Sequence, residues 1–242
     1  MLMNNLVETH CHILPGIDDG SPDVETSLKM IRKLQAQGAQ AIILTSHYYS
    51  DSISLDDFLE RRNKAFAELS SALPENSPKL IPAAEVYISQ YLFSNEHLER
   101  IAIGNSGYAL IEHPFSSSFS QGSCDRLVNL NCEYGIKPIL AHIERYPALM
   151  ENEALLDDYI EMGCLTQVNI SSFTDSSRHL RKKLFKYLET GRIHLIGSDC
   201  HNLSSRPPEY EKGVKEIIKK CGKEAIDVLE RNANLLIMPI FL

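Results

Sequence analysis

LVETHCHILPGIDDG, residues 6–20, runs from an apolar start into two histidines two positions apart and then into two adjacent carboxylates. Side chains alternate along an extended backbone, so His10 and His12, at the end of a strand over residues 6–9, point the same way and can hold one ion together. The same plan recurs along the chain: a short apolar or β-branched run, a side chain able to bind a metal, then an amphipathic segment. The further runs are residues 41–45, 79–84, 108–111, 137–141, 165–169 and 193–197. With the first they make seven βα units, which predict an α/β fold whose parallel sheet closes into a barrel. No linker, fixed repeat or low-complexity tract divides the chain, so one domain over residues 1–242 is expected.

Helices are expected over residues 24–37, apolar at Val24, Leu28, Ile31 and Leu34 and stopped at Gly38, and over 54–72, where Ser54 and Asp57 resemble a capping box. Further helical patterns cover residues 89–100, 124–134, 155–162, 177–190, 209–220 and 223–232. The SSSFSQG stretch, residues 116–122, reads as a mobile loop.

In a parallel barrel the carboxyl ends of the strands converge on one mouth, where ligands bind. His10 and His12 follow the first run, His47 the second, Glu85 the third, Glu112 the fourth, His142 the fifth, and Asp199 with His201 the seventh. Asp19 joins them from the DDG turn. Five imidazoles and four carboxylates suit borderline divalent ions such as zinc, manganese, iron(II) or cobalt, and disfavour a pure magnesium or calcium site. The set is large enough for two or three ions. Ions sharing carboxylates lower the pKa of a bridging water and clamp a phosphoryl oxygen, while Arg145 and Arg206 can fork onto the remaining oxygens. The constellation reads as phosphoester hydrolysis.

A single histidine after a strand is more often a satisfied polar residue than a ligand; the joint pattern carries the reading. His97 and His179 belong to surface helices, His194 has the wrong parity for the mouth, and His113 lies beside the site. Glu8 is placed to hydrogen-bond a ligand imidazole. Cys200 and Arg206, in CHNLSSR, have the Cys-x5-Arg spacing of thiolate phosphatases. HNLSS holds no glycine to let backbone N–H groups cradle a phosphate, and by alternation Cys200 points away from the side that Asp199 and His201 share. A thiolate mechanism is therefore disfavoured.

Composition bounds the rest. The net charge of −8 argues against sequence-independent binding of nucleic acid, which needs a basic face. MLMNNLVETH has no positive charge, sustained apolar stretch or cleavage site, so no secretory signal and no membrane insertion are expected, and the cytoplasm is the default location. Six scattered cysteines read as reduced thiols.

The segments HCHILPGIDDG, LTSH, AAEVYIS, YALIEHPF, AHIERYPAL, TQVN and GSDCHNLSSRPP, in this order, resemble the polymerase and histidinol phosphatase (PHP) superfamily. They are most similar to its branch of bacterial capsule and exopolysaccharide protein-tyrosine phosphatases. The resemblance implies a distorted (β/α)7 TIM-like barrel with three divalent ions, manganese first, with iron, zinc or cobalt as the others. It implies hydrolysis of phosphotyrosine through a metal-bridging hydroxide, on the tail of a bacterial tyrosine autokinase that controls polysaccharide export. One ion would take His10, His12, Glu85 and Asp199; a second Glu85, Glu112 and His142; a third Asp19, His47 and His201. Asp199, Arg145 and Arg206 would act in catalysis, both arginines contacting the phosphate. Glu8 stands where an aspartate is usual, and SHYYS replaces a more basic stretch, so Tyr48 and Tyr49 are expected to line the mouth and stack on an aromatic phosphoester. The alternatives are a small-molecule phosphomonoesterase of the histidinol-phosphatase type and a metal-dependent binding protein without catalysis.

Overall fold

The computed structural model describes Met3 and residues 5–238. Nine parallel strand segments follow the seven expected runs: β1 (Leu6–Glu8), β2 (Ala39–Leu44), β3 (His47–Tyr48), β4 (Lys79–Pro82), β5 (Glu85–Tyr87), β6 (Tyr108–Glu112), β7 (Lys137–Leu140), β8 (Leu165–Asn169) and β9 (Leu195–Gly197). They form two sheets, β1-β2-β4 and β3-β5-β6-β7-β8-β9. The expected second and third strands are each broken in two. Pro82, without an N–H, ends β4. Hydrogen bonds carry the pairing across both breaks, from Ala83 N to Leu44 O (2.9 Å) and from Glu85 N to Ser46 O (3.0 Å).

The residues just past β1 close the structure. Thr45 N donates to Cys11 O (3.0 Å), His12 N to Cys200 O (2.9 Å) and Asp199 N to His10 O (2.7 Å), and Cys11 bridges Cys200 in parallel. The first run is thus joined to both the second and the last, and the parallel sheet curls into a distorted barrel. The seam that closes it is the HCH stretch itself.

Alternation divides the apolar residues. Val7, Ala41, Ile43, Ile81, Leu110, Ile139 and Leu195 face inward and cluster with Ala233, Leu236 and Ile237, which plug the amino end of the strands. The opposite parity, Leu6, Ile42, Leu44, Leu80, Ile111 and Ile196, packs under the helices. These are α1 (Val24–Ala36), α2 (Leu55–Ser71), α3 (Gln121–Tyr134), α4 (Pro147–Glu151), α5 (Glu153–Glu161), α6 (Ser172–Asp175), α7 (Arg178–Glu189), α8 (Glu211–Cys221) and α9 (Lys223–Leu235). The capping box opens α2: Ser54 Oγ accepts from Asp57 N (3.2 Å) and donates to its carboxylate (2.7 Å).

One expectation fails. Residues 89–100 form two 3-10 turns, Gln90–Ser94 and Leu98–Ile101, with His97 in the left-handed region (φ 59°) between them. Ser94 Oγ and Asn95 Nδ2 donate to the carbonyls of Tyr91 (2.7 Å) and Leu92 (3.0 Å), side-chain bonds that compete with helix. In the stretch 116–122, Phe119 is buried with its ring centroid 4.6 Å from that of His113 and 5.1 Å from that of Tyr146, while Ser116, Ser118 and Ser120 are exposed. Among the described residues no helix is long and apolar enough to cross a membrane.

Candidate metal centre

The expected donors sit past the carboxyl ends of the seven expected runs or in the loops there. His10 and His12 lie on the seam past β1, His47 opens β3, Glu85 opens β5 and Glu112 ends β6. His142 follows β7, and Asp199 with His201 follows β9. Gly197 makes the approach possible: a Cβ there would lie 2.6 Å from His10 Cβ. Backbone strain gathers here too, with His142 (φ 33°) and Asp199 (φ 52°) both in the left-handed region.

The side chains converge on Glu85. Its Oε2 lies 3.2 Å from His10 Nε2, 3.3 Å from His12 Nε2 and 3.1 Å from His47 Nδ1, and its Oε1 2.9 Å from His142 Nε2. Glu112 Oε1 is 3.5 Å from His142 Nε2. Asp19 Oδ1 lies 3.4 Å from His201 Nε2 and 3.6 Å from His47 Nε2. Asp199 Oδ1 is 3.5 Å from both His10 and His12 Nε2.

Three donor sets close to within 4.8 Å: His12, Asp19, His47 and His201; His10, His12 and Glu85; His47, Glu85 and Glu112. The grouping differs from the one the resemblance implies, since His12 and His47 each belong to two sets. Asp199 and His142 stand beside the sets rather than in them. For Asp199 the reason is its other partners: Arg145 Nη2 and Arg206 Nη2, each at 2.7 Å, and Asn169 Nδ2, at 2.8 Å.

The donor chemistry asks for a cation. Glu85 Oε2, His47 Nδ1, His142 Nδ1 and His201 Nε2 are buried without a well-formed hydrogen bond, although imidazoles crowd the carboxylate. Buried polar atoms left so are costly in protein alone. Burial opposes charge on Glu85, yet His10, His12 and His142 hold its carboxyl well below the usual range. Burial likewise opposes charge on His12, but Asp18, Asp199 and Glu85 raise it well above its ordinary value. Against burial, Glu112 and Glu85 push His142 up to about 9, whereas burial and the neighbouring His12 push His201 down to about 4. Protons on His12 and His142 thus balance part of the carboxylate charge, and divalent cations would take that place with release of those protons.

Some site residues escaped the sequence. Asp18 Oδ2 meets His12 Nδ1 (2.9 Å) and accepts from His47 N (3.0 Å). Gln167 Oε1 meets His10 Nδ1 (3.2 Å) and accepts from His142 N (2.7 Å). Gln167 and Asn169 have the same x-y-x spacing on β8 as His10 and His12, which was the available signal. Phe115, 54% exposed, sits at the mouth with its ring centroid 5.9 Å from the Arg145 guanidinium carbon.

Two expectations are corrected. Tyr48 does not line the mouth: His47 points inward, so Tyr48 turns outward and is buried 4.8 Å, ring to ring, from Phe58 of α2. Tyr49, 37% exposed and 5.2 Å from the His47 ring, occupies the position expected of it. Glu8 accepts from the backbone N–H groups of His10 and Ser198 (3.0 Å each) and from Tyr210 Oη (2.9 Å), so it ties the seam together instead of orienting an imidazole. Cys200 is buried beside Cys11, and His194 bonds Thr166 (2.9 Å), both away from the cluster as expected.

A curled parallel barrel with a cluster of shared imidazoles and carboxylates at its mouth has the architecture of the barrel metallohydrolases. Within that class the chain belongs to the capsular polysaccharide synthesis CpsB/CapC family, whose model matches residues 6–238. It is 33% identical to the tyrosine-protein phosphatase CpsB of Streptococcus pneumoniae over 96% of this chain and 98% of that protein. It is 28% identical to the tyrosine-protein phosphatase YwqE of Bacillus subtilis, over 96% of this chain and 91% of that protein. A solved structure from the pair YwqE of B. subtilis and CpsB of S. pneumoniae, described as unique metal-dependent tyrosine phosphatases, superposes with a TM-score of 0.82 at 27% identity, covering 96% of this chain and 94% of that one.

Proposed function

We propose that this chain is a metal-dependent protein-tyrosine phosphatase of the cytoplasm, acting on the phosphotyrosine-bearing tail of a bacterial tyrosine kinase in capsule or exopolysaccharide synthesis. The observation that carries the reading is the pair Arg145 and Arg206, each 37% exposed, converging on Asp199 at the edge of the buried donor cluster. Two guanidiniums at one open edge match the oxygens of a phosphoryl group. The pocket there, about 350 Å³, is lined by Arg145, Asn169, Asp199 and Arg206. The exposed rings of Phe115 and Tyr49 at the mouth offer contact area to an aromatic phosphoester.

The nine side chains His10, His12, Asp19, His47, Glu85, Glu112, His142, Asp199 and His201 would hold three divalent ions, manganese first, with iron, zinc or cobalt as the others. Such ions supply Lewis-acid charge to the phosphoryl oxygens and lower the pKa of a water. The chain's own part is to bind and orient. Arg145 and Arg206 leave Asp199 for the phosphate and carry the charge that grows on its equatorial oxygens, while Gln167 and Asp18 fix the rings of His10 and His12. Family membership, the relatives' activity and six free cysteines all support this reading.

The test is hydrolysis of a phosphotyrosine peptide by the purified protein before and after chelation and manganese add-back, with iodoacetamide in parallel and histidinol phosphate as competing substrate. Chelation should abolish activity, manganese restore it, alkylation leave it, and the peptide be preferred. Arg206→Ala should lower kcat/KM about a hundredfold with metal content unchanged. A preference for histidinol phosphate would transfer the chain to small-molecule hydrolysis, and phosphate release indifferent to chelation would remove the metal chemistry.

A further inference from the structure

A groove of about 1110 Å³ lies along α7, apart from the donor cluster. Helix α7, RHLRKKLFKYLE, has five Arg or Lys among its twelve residues and one Glu, in a chain whose net charge is −8. Leu184, Tyr187 and Leu188 are buried against the core, so the basic side chains are left on the outer face. Lys186 is held by Glu153 (2.7 Å) and Arg181 by the Thr174 carbonyl. Arg178, Lys182 and Lys220 line the same groove, are exposed, and form no ion pair among the described residues.

The groove is continuous with the mouth. Thr174, on α6, lines both it and the pocket that contains Arg145, Asp199 and Arg206. A chain seated with its phosphate between the two arginines can therefore run past α6 onto the basic face of α7, where Arg178, Lys182 and Lys220 stand. A neutral or basic segment gains nothing from that path; an acidic one does.

Resting on the phosphatase reading above, we propose that the α7 groove is a docking site for a polyanionic peptide segment, carrying carboxylates or further phosphates, that flanks the phosphotyrosine under attack. A peptide fits better than an anionic bilayer because the surface is concave. Glu153, Glu189 and Glu216 stand among its cations, where they would repel a uniform sheet of headgroups but can pair with single basic residues of a peptide. The groove sets substrate preference through KM and association, and it is screened by salt.

The experiment compares three substrates on the metal-loaded protein: p-nitrophenyl phosphate, a phosphotyrosine peptide with neutral flanks, and one of equal length with acidic flanks. At low salt the acidic peptide should show at least a tenfold higher kcat/KM than the neutral one, mostly in KM, and the gap should close at about 0.5 M salt. The triple variant R178E/K182E/K220E should erase that gap and leave p-nitrophenyl phosphate unchanged. Equal kcat/KM for the two peptides in the unaltered protein, or a gap that survives in the variant, overturns the proposal. If no substrate is turned over, the phosphatase reading falls by itself. Fluorescence anisotropy of the labelled acidic peptide then decides the groove, with binding lost in the triple variant supporting it and binding retained overturning it. Cosedimentation with phosphatidylserine vesicles that depends on Arg178, Lys182 and Lys220, without peptide discrimination, would assign the face to a membrane instead.

Discussion

The two ends of the barrel are built on opposite physics. At the amino end, Val7, Ile43, Ile81 and Leu195 meet Ala233, Leu236 and Ile237 in an apolar plug. At the carboxyl end, imidazoles and carboxylates that are almost all buried crowd one another, and two of them stand on left-handed backbone. Burial of apolar area stabilises the first end, by roughly 25 cal/mol per Å². The second end costs stability, since burying charged groups is expensive even when they are paired and strained residues cost about 1 to 3 kcal/mol apiece. Strength and chemistry are thus separated along the barrel axis, and each end can be broken without the other.

The largest effect is expected from breaking the mouth at its centre. Glu85→Gln removes the carboxylate on which four imidazoles converge, and should lower kcat/KM by about a thousandfold or more together with bound metal measured by elemental analysis. The rise in Tm on adding manganese should disappear with it. Activity that survives with full metal content would show that the convergence on Glu85 is structural.

The opposite end is tested by Leu236→Ala. Leu236 is fully buried in the plug, so the change should destabilise the protein by about 2 to 5 kcal/mol in urea unfolding. At 25 °C the folded protein should keep its kcat/KM and metal content. A parallel loss of activity would mean that the ends are coupled through the strands.

Smaller, and confined to the mouth, is a pH effect through His142. Its folded pKa is pushed up to about 9, above the ordinary histidine value. The sign follows from linkage: the contribution to stability is fully present below the unfolded pKa and is lost as pH rises through the folded one. Chelated protein should therefore lose about 2 kcal/mol between roughly pH 6.5 and pH 9. Metal-loaded protein, whose imidazoles are neutral, should not, and His142→Asn should flatten the chelated profile. Equal losses with and without metal would place the titration elsewhere.

The seven runs were legible, and so was a metal-type side chain after six of them, because that pattern survives in one dimension. Tyr48 was misplaced although its neighbour His47 was read as facing the mouth: alternation along β3 turns Tyr48 outward. Glu8 failed for another reason: between Glu8 and His10 the chain leaves the strand for the seam, and parity no longer holds. The contacts that Asp199 makes were not legible, since Arg145, Asn169 and Arg206, far apart in the chain, meet it only when the barrel folds.

The smallest effect is expected where the sequence offered its most misleading motif. Cys200 and Arg206 have the spacing of a thiolate phosphatase, but Cys200 is fully buried against Cys11 on the outer side of the seam, while Asp199 and His201 flank it on the inner side. Replacing Cys200 by serine puts a hydroxyl among apolar neighbours, at a cost of about 1 kcal/mol in stability. It leaves the donor cluster untouched, so kcat/KM should stay within about twofold and iodoacetamide should inactivate neither protein. The control is His201→Ala, which removes a donor of the cluster. If Cys200→Ser were as damaging as His201→Ala, the chemistry would lie in the thiol, and the mouth would lose its claim to be the working end of the barrel.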